Sequence, residues 1–330
     1  MMYSLTLVIV VVALALLFDY INGFHDTANA IATSISTKAL SPRSAILIAA
    51  TLNLIGALSG TAVAATIGKG IVAPDIVTPG VLIAALISAI FWNLFTWYFG
   101  IPSSSSHALI GGLTGAVIGF FGFEQVKWLG FGKILAGLII SPILGLIIGG
   151  VIMTLLFWVF SGSSPSRVNH YFRKLQIASA CMASFAHGSN DAQKTMGIIT
   201  LVLFSGGLIG SFTVPLWVKV LCAIAMASGT AFGGWKIIRT MGGKIFRIEP
   251  INGFAADFTA SAIIWGASLL GAPVSTTHVV SSSIMGVGVA KRFRGVRWNI
   301  ARQILIAWVV TIPSSALVAI FISMLIRVIS

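Results

Sequence analysis

Two acidic residues stand inside strongly apolar sequence, each ringed by small polar residues. Asp26 lies in Gly23-Phe24-His25-Asp26-Thr27-Ala28-Asn29, and Asp191 lies 165 residues later in Gly188-Ser189-Asn190-Asp191-Ala192-Gln193-Lys194. Each motif is followed by a proline and a hydroxyl cluster: Gly100-Ile101-Pro102-Ser103-Ser104-Ser105-Ser106-His107, and 171 residues on, Gly271-Ala272-Pro273-Val274-Ser275-Thr276-Thr277-His278. Carboxylates in apolar surroundings are costly and mark functional sites by default. Proline ends a helix, and the Ser or Thr hydroxyls after it can cap the next one. Hydroxyls and helix-start N–H groups together are suitable donors for a tetrahedral oxyanion, and unwound carbonyls can hold a cation.

Each of these residues also has a plain structural reading. Asp26 and Asp191 could be buried helix caps, and the Ser/Thr runs could be ordinary caps. His25, His107 and His278 could be hydrogen-bonded structural histidines or could handle protons. Lys194 stands where the first motif has Asn29. It reads either as a lysine snorkelling to an interface or, as we favour from its depth, as a fixed ammonium facing an anion or filling a cation's place. Asp257, close to Asn252 and Gly253, could couple an ion or form a structural hydrogen bond. Asp19 is expected at the rim of a cavity.

The elements that must position these groups are membrane helices. Of 330 residues, 57% are hydrophobic and only 8% are charged, against about 25% charged in soluble domains. Apolar segments fall at roughly 4–37, 44–66, 78–98, 106–121, 131–160, 175–205, 215–235, 253–270, 276–289 and 300–326, most of them long enough to cross a bilayer. The first lacks a basic n-region and a small-residue cleavage site, and reads as a mature helix. Cys181 and Cys222 both lie in apolar segments and are expected to be free thiols. The net charge of +13 would suggest nucleic acid in a soluble protein. Here, however, thirteen of the twenty basic residues fall on odd-numbered connections: Lys38 and Arg43, then Arg167 to Lys174, Lys236 to Arg247 and Lys291 to Arg297. The positive-inside bias places those connections in the cytoplasm and both termini outside, and it excludes nucleic acid as a partner.

The two motif pairs recur in the same order at nearly the same offset, which signals duplication. The division is 1–160 as first repeat, 161–174 as cytoplasmic linker and 175–330 as second repeat. Five segments per half is an odd number, so the halves should enter the membrane from opposite sides as an inverted repeat. Segments four and nine are short and could be re-entrant. The first segment, about 34 residues, would run about 50 Å as a helix across a core of about 30 Å. An interruption near Gly23, and another near His187 to Asp191, would absorb that length and expose backbone to a central site. The fold class is therefore all-α and polytopic, with broken helices and re-entrant segments at mid-membrane.

At these residues the chain resembles the inorganic phosphate transporter (Pit) family. That family carries a duplicated Gly-x-Asn-Asp-x-x-Asn-Ala signature, which Gly23 to Ala30 match with His25 in the third place. The second copy matches through Gly188, Asn190 and Asp191 and departs at Lys194 and Thr195. Pro273-Val274-Ser275-Thr276-Thr277-His278 is equally characteristic, and the resemblance covers nearly the whole chain. It implies phosphate held between broken helices and the Ser/Thr motifs, with uptake coupled to sodium or protons. Some bacterial members carry a neutral complex of phosphate with a divalent metal, and some members carry sulfate. His25 and Lys194 look more like the bacterial proton-coupled branch, which implies a multi-pass protein of the plasma membrane.

The combined expectation is a secondary active transporter, not an enzyme, importing inorganic phosphate by cation symport with the proton favoured over sodium. A sulfate or other oxyanion transporter is the alternative. Asp26, Asn29, Ser104, Ser105, Ser106, Asn190, Asp191, Lys194, Ser275, Thr276 and Thr277 should bind substrate. Asp26, Asp191, His25, His107, His278 and Asp257 should couple the ion. No resident cofactor or metal is expected beyond the co-transported cation. A homo-oligomer is left open. A hydrolase is disfavoured because Ser106 and His107 are adjacent, ill placed for a nucleophile–base pair.

Overall fold

The computed structural model describes residues 3–74 and 76–329, and these are almost entirely helical. Twelve α-helices run in chain order: α1 Leu5–Ser36, α2 Pro42–Leu58, α3 Ala62–Gly70, α4 Pro79–Tyr98, α5 Ser105–Phe121, α6 Trp128–Val159, α7 Pro165–Ser205, α8 Leu216–Phe232, α9 Trp235–Arg239, α10 Pro250–Leu269, α11 Thr276–Lys291 and α12 Trp298–Ile329. Helices α1, α4, α6 and α12 are each long and apolar enough to cross a bilayer, and two bent pairs add two further spans by length and composition. The exposed faces of α6 and α12, with Ile139, Ile143, Ile147, Val309, Leu317 and Phe321, are aliphatic and aromatic. Such faces suit lipid and would not suit water.

The expected interruptions of α1 and α7 are not there. Both helices run unbroken through their polar motifs. The reason lies in the spacing. Asp19, Asn22, Asp26, Asn29 and Thr33 recur at intervals of three and four residues, which is one face of a continuous helix. The breaks lie elsewhere. Helices α2 and α3 meet at 70° across Ser59–Thr61, and α8 meets α9 at 60° across Gly233–Gly234. The two proline segments are the other unwound stretches, at 101–104 and 272–275.

Those stretches are built alike. Helix α4 ends where Gly100 takes φ 66°, and α10 ends where Gly271 takes φ 67°. Ile101 N–H donates to Thr96 O at 2.9 Å and Ala272 N–H to Ala267 O at 2.8 Å, the closure typical of a left-handed glycine cap. Ser104 and Ser275 then cap α5 and α11 by accepting from the N–H of His107 and His278, each at 3.2 Å. The chain also folds back at each site. Lys127 N–H donates to Ile71 O at 2.9 Å, joining the connections before α4 and after α5, and Arg297 N–H donates to Ile245 O at 2.9 Å, joining those before α10 and after α11. Segments three and four therefore form a hairpin, as do eight and nine.

Helices α1–α6 and α7–α12 interlock instead of standing apart. Helix α2 packs on α7 and α8 on α1, while α6 packs on α11 and α12 on α5. Close approach depends on glycine at two crossings: a Cβ at Gly23 would strike the Met226 carbonyl, and one at Gly188 the Asn53 carbonyl. This brings the polar faces of α1 and α7 against each other at the centre, between the hydroxyl-bearing starts of α5 and α11.

Candidate functional site

The two aspartates meet. Ligating atoms of Asp26, His187 and Asp191 all lie within 4.8 Å of one another, near enough to share a cation. Asp26 Oδ2 accepts from Ser105 Oγ at 3.0 Å, and its Oδ1 lies 2.7 Å from His25 Nδ1 and accepts from Thr277 Oγ1 at 3.1 Å. Asp191 Oδ2 accepts from Thr276 Oγ1 at 2.9 Å and lies 3.2 Å from His187 Nε2; its Oδ1 accepts from the Lys194 ammonium. Lys194 Nζ also donates to Ser106 Oγ at 2.6 Å and to Val274 O at 2.9 Å. Asn29 Nδ2 donates to Thr277 Oγ1 at 2.9 Å and to Thr276 Oγ1 at 3.3 Å.

The first hydroxyls after each cap thus reach both long helices. Asp26, Asn29, Ser105, Ser106, Asp191, Lys194, Thr276 and Thr277 form one connected cluster, and none is more than 3% exposed. The N-termini of α5 and α11 enter this cluster, and their partial positive charge favours an anion there. Lys194 adds an ammonium whose three donors are all taken by protein oxygens. The cluster pairs donors for an oxyanion with carboxylates for a cation.

Other expected residues take different places. Ser104 and Ser275 are committed to capping, and Ser104 Oγ also lies 2.8 Å from His107 Nδ1. Asn190 faces away from the cluster: its Nδ2 donates to Ser268 Oγ at 2.9 Å and to Ala272 O at 3.4 Å, and its Oδ1 accepts from Val274 N–H at 3.4 Å. It ties α7 to the segment leading into α11. His107 and His278 sit ring to ring, centroids 4.3 Å apart, and Trp308 stacks on His278 at 3.9 Å. Their rings border an apolar cavity of about 1070 Å³ between α6, α11 and α12, behind the hydroxyls and away from the aspartates. Asp257 forms a separate pair with Thr33 at 2.7 and 2.8 Å.

Three participants escaped the sequence reading. His187 reaches Asp191 and lies 3.1 Å from Asn53 Oδ1 through its Nδ1; its position four residues before Asp191 was the available signal. Ser103 and Thr96 hold the far side of His25, at 3.4 and 3.2 Å. Asp19 is fully buried, a correction to the expected rim position, because it shares the inward face of α1 with Asp26.

An all-helical protein with lipid-suited faces around a buried, connected cluster of acids, hydroxyls and an ammonium has the make-up of a membrane transporter. The model of the phosphate transporter family matches residues 22–166 and 160–319, and the chain belongs to that family. It is 53% identical over 315 residues to a probable low-affinity inorganic phosphate transporter of Bacillus subtilis, covering 94% of this chain and 95% of the relative. It is 48% identical to a protein of the same description from Rhizobium meliloti, with 95% and 94% covered. A solved structure described as the sodium-dependent phosphate transporter superposes with a TM-score of 0.88 at 27% identity, covering 99% of this chain and 100% of the other.

Proposed function

We propose that this chain imports inorganic phosphate by symport with a cation, and that the proton is the cation its site favours over sodium. The observation that carries the reading is the Lys194 ammonium, bonded to Asp191, Ser106 and Val274 in the middle of the cradle. A fixed ammonium beside Asp191 supplies the charge that a bound sodium ion would supply, and repels one nearby. The solved relative is described as sodium-dependent, so the coupling ion is the point on which this chain is expected to differ.

Phosphate fits better than sulfate for a chemical reason. A hydrogen phosphate keeps a P–OH donor that can meet a carboxylate acceptor, whereas sulfate at neutral pH presents acceptors alone. Asp26 and Asp191 are such acceptors, while Ser105, Ser106, Thr276, Thr277 and Lys194 carry donors that phosphate would draw from the aspartates and from Val274 O. Transport proceeds by alternating access around this buried cradle. Alike glycine turns, alike caps and reciprocal packing of the two halves support an inverted repeat. With hairpins returning to their own side, each half crosses three times, still an odd number. The basic connections then face the cytoplasm and both termini lie outside, consistent with a plasma-membrane protein.

The deciding experiment is labelled phosphate uptake into proteoliposomes, with pH and sodium gradients imposed separately. Uptake driven by an alkaline interior and indifferent to sodium is expected. Uptake that requires sodium and ignores pH would refute proton symport. Competition by arsenate but not sulfate is expected, and repeating the assay with and without Mg²⁺ separates free phosphate from a metal–phosphate complex.

A further inference from the structure

Asp19 lies seven residues, two helical turns, before Asp26 on the same face of α1, and its side chain is fully buried. Neither of its carboxylate oxygens meets a donor at bonding geometry, and Asn22 Oδ1 and Thr195 Oγ1 are likewise unpartnered. Among the described residues Asp19 enters no ion pair. It faces Thr195 on α7 and Cys222 on α8, with Asp191 and Lys194 near enough to act on it through space. Helix α4, also packed on α1, carries no ionisable side chain before Tyr98. This acid caps nothing, enters no ion pair, has only the weak donors Thr195 and Cys222 beside it and stands next to the cradle.

We propose that Asp19 binds the co-transported proton, at a site separate from the phosphate cradle and displaced toward the start of α1. The proposal rests on the proton-symport reading above. A carboxylate at membrane depth with only a hydroxyl and a thiol beside it needs a positive partner. A thiol and apolar walls make a poor shell for a hard cation, and only Asn22 and Thr195 add neutral oxygens. A proton needs the carboxyl group and one acceptor. Asn22 Oδ1, three residues on along the same face, is an acceptor with no other partner. Protonation removes a negative charge that Asp191 and Lys194 feel, so it eases entry of the anion. Proton and phosphate therefore favour each other's binding, the coupling a symporter requires.

The test compares wild-type protein with Asp19→Asn and Asp19→Glu in proteoliposomes. One coupled proton across one pH unit supports about tenfold accumulation. The expected result for Asp19→Asn is an accumulation ratio near one that no longer varies with pH, with measurable phosphate exchange when phosphate is equal on both sides. Asp19→Glu should accumulate again, with a displaced pH profile. Wild-type accumulation and an unchanged pH profile in Asp19→Asn would overturn the proposal. So would loss of exchange in both variants, since that marks a structural role. Should Asp19→Asn fail to insert, Thr195→Val serves: a shifted pH midpoint supports the site, and an unmoved one overturns it. A wild-type protein indifferent to the pH gradient would instead defeat the proton-symport reading itself, and would do so before any variant is measured.

Discussion

Replacing Lys194 exposes what its charge does. Its ammonium satisfies Asp191, Ser106 Oγ and Val274 O at once, in a position only 2% exposed. Lys194→Met keeps the bulk and removes the charge, leaving Asp191 buried without its cation. Removing one partner of a buried pair costs about 3–5 kcal/mol, while Ser106 Oγ and Val274 O keep their own bond at 3.1 Å. A large drop in thermal stability and loss of uptake are therefore expected for Lys194→Met. Lys194→Asn places there the residue type that the first motif has at Asn29 and offers a neutral carbonyl oxygen beside Asp191 and Thr276. A sodium ion could then take the vacated charge. Sodium at about 100 times its Kd would return about 2.7 kcal/mol of stability, seen as a sodium-dependent rise in unfolding temperature absent from wild type. Phosphate uptake by this variant should become sodium-stimulated, measured in sodium against choline media. Sodium-independent uptake by Lys194→Asn at the wild-type rate, or wild-type stability in Lys194→Met, would refute the reasoning.

Further outcomes follow from the same geometry. Asp26→Asn should abolish phosphate uptake while eluting as folded protein in detergent, and Asp191→Asn should abolish uptake with a loss of thermal stability like that of Lys194→Met, since it leaves the ammonium buried without its partner; normal rates in both would remove them from the mechanism. Ser105→Ala and Thr277→Ala each remove one donor from Asp26 and should each weaken function by about 1–3 kcal/mol, roughly five- to 150-fold, read as a rise in KM or a fall in kcat. Gly188→Ala should impair folding, because its Cβ would strike the Asn53 carbonyl of α2; a normal yield and unfolding temperature would contradict that crossing. A cysteine added at the C-terminus of a cysteine-free version should react with an impermeant maleimide from outside the cell, and protection there would invert the assigned topology.

Much of the fold could be read from the residues, and the reason differs by element. The hairpin helices α5 and α11 start where proline and serine said they would, because Pro102 and Pro273 forbid a continuous ladder and Ser104 and Ser275 supply caps. The site cluster was legible because unlike residues kept company twice, 165 and 171 residues apart. The position of the breaks was misread. Crowded polar residues in α1 suggested unwinding, yet their three-and-four spacing already described an intact helix with one polar face. The true bends fall at Ser59–Thr61 and Gly233–Gly234, where small residues were visible but carried no chemistry to draw attention. Separating the pocket residues from the caps within the Ser/Thr runs required three dimensions. Ser104 and Ser105 are alike in sequence and differ only in which way one helical turn aims them.

The second hairpin is fastened to α7 more firmly than the first is to α1. Asn190 grips Ala272 O and Val274 N–H, and Lys194 holds Val274 O, so three bonds bind that lead-in to one rod. The corresponding stretch before α5 bonds to α1 through side chains alone, by way of His25 and Ser103. Any motion that uncovers the cradle would therefore carry α7 and the tip of α11 together as a single piece, with the start of α5 tied to them through Ser106, and open along the weaker seam between α1 and the stretch before α5.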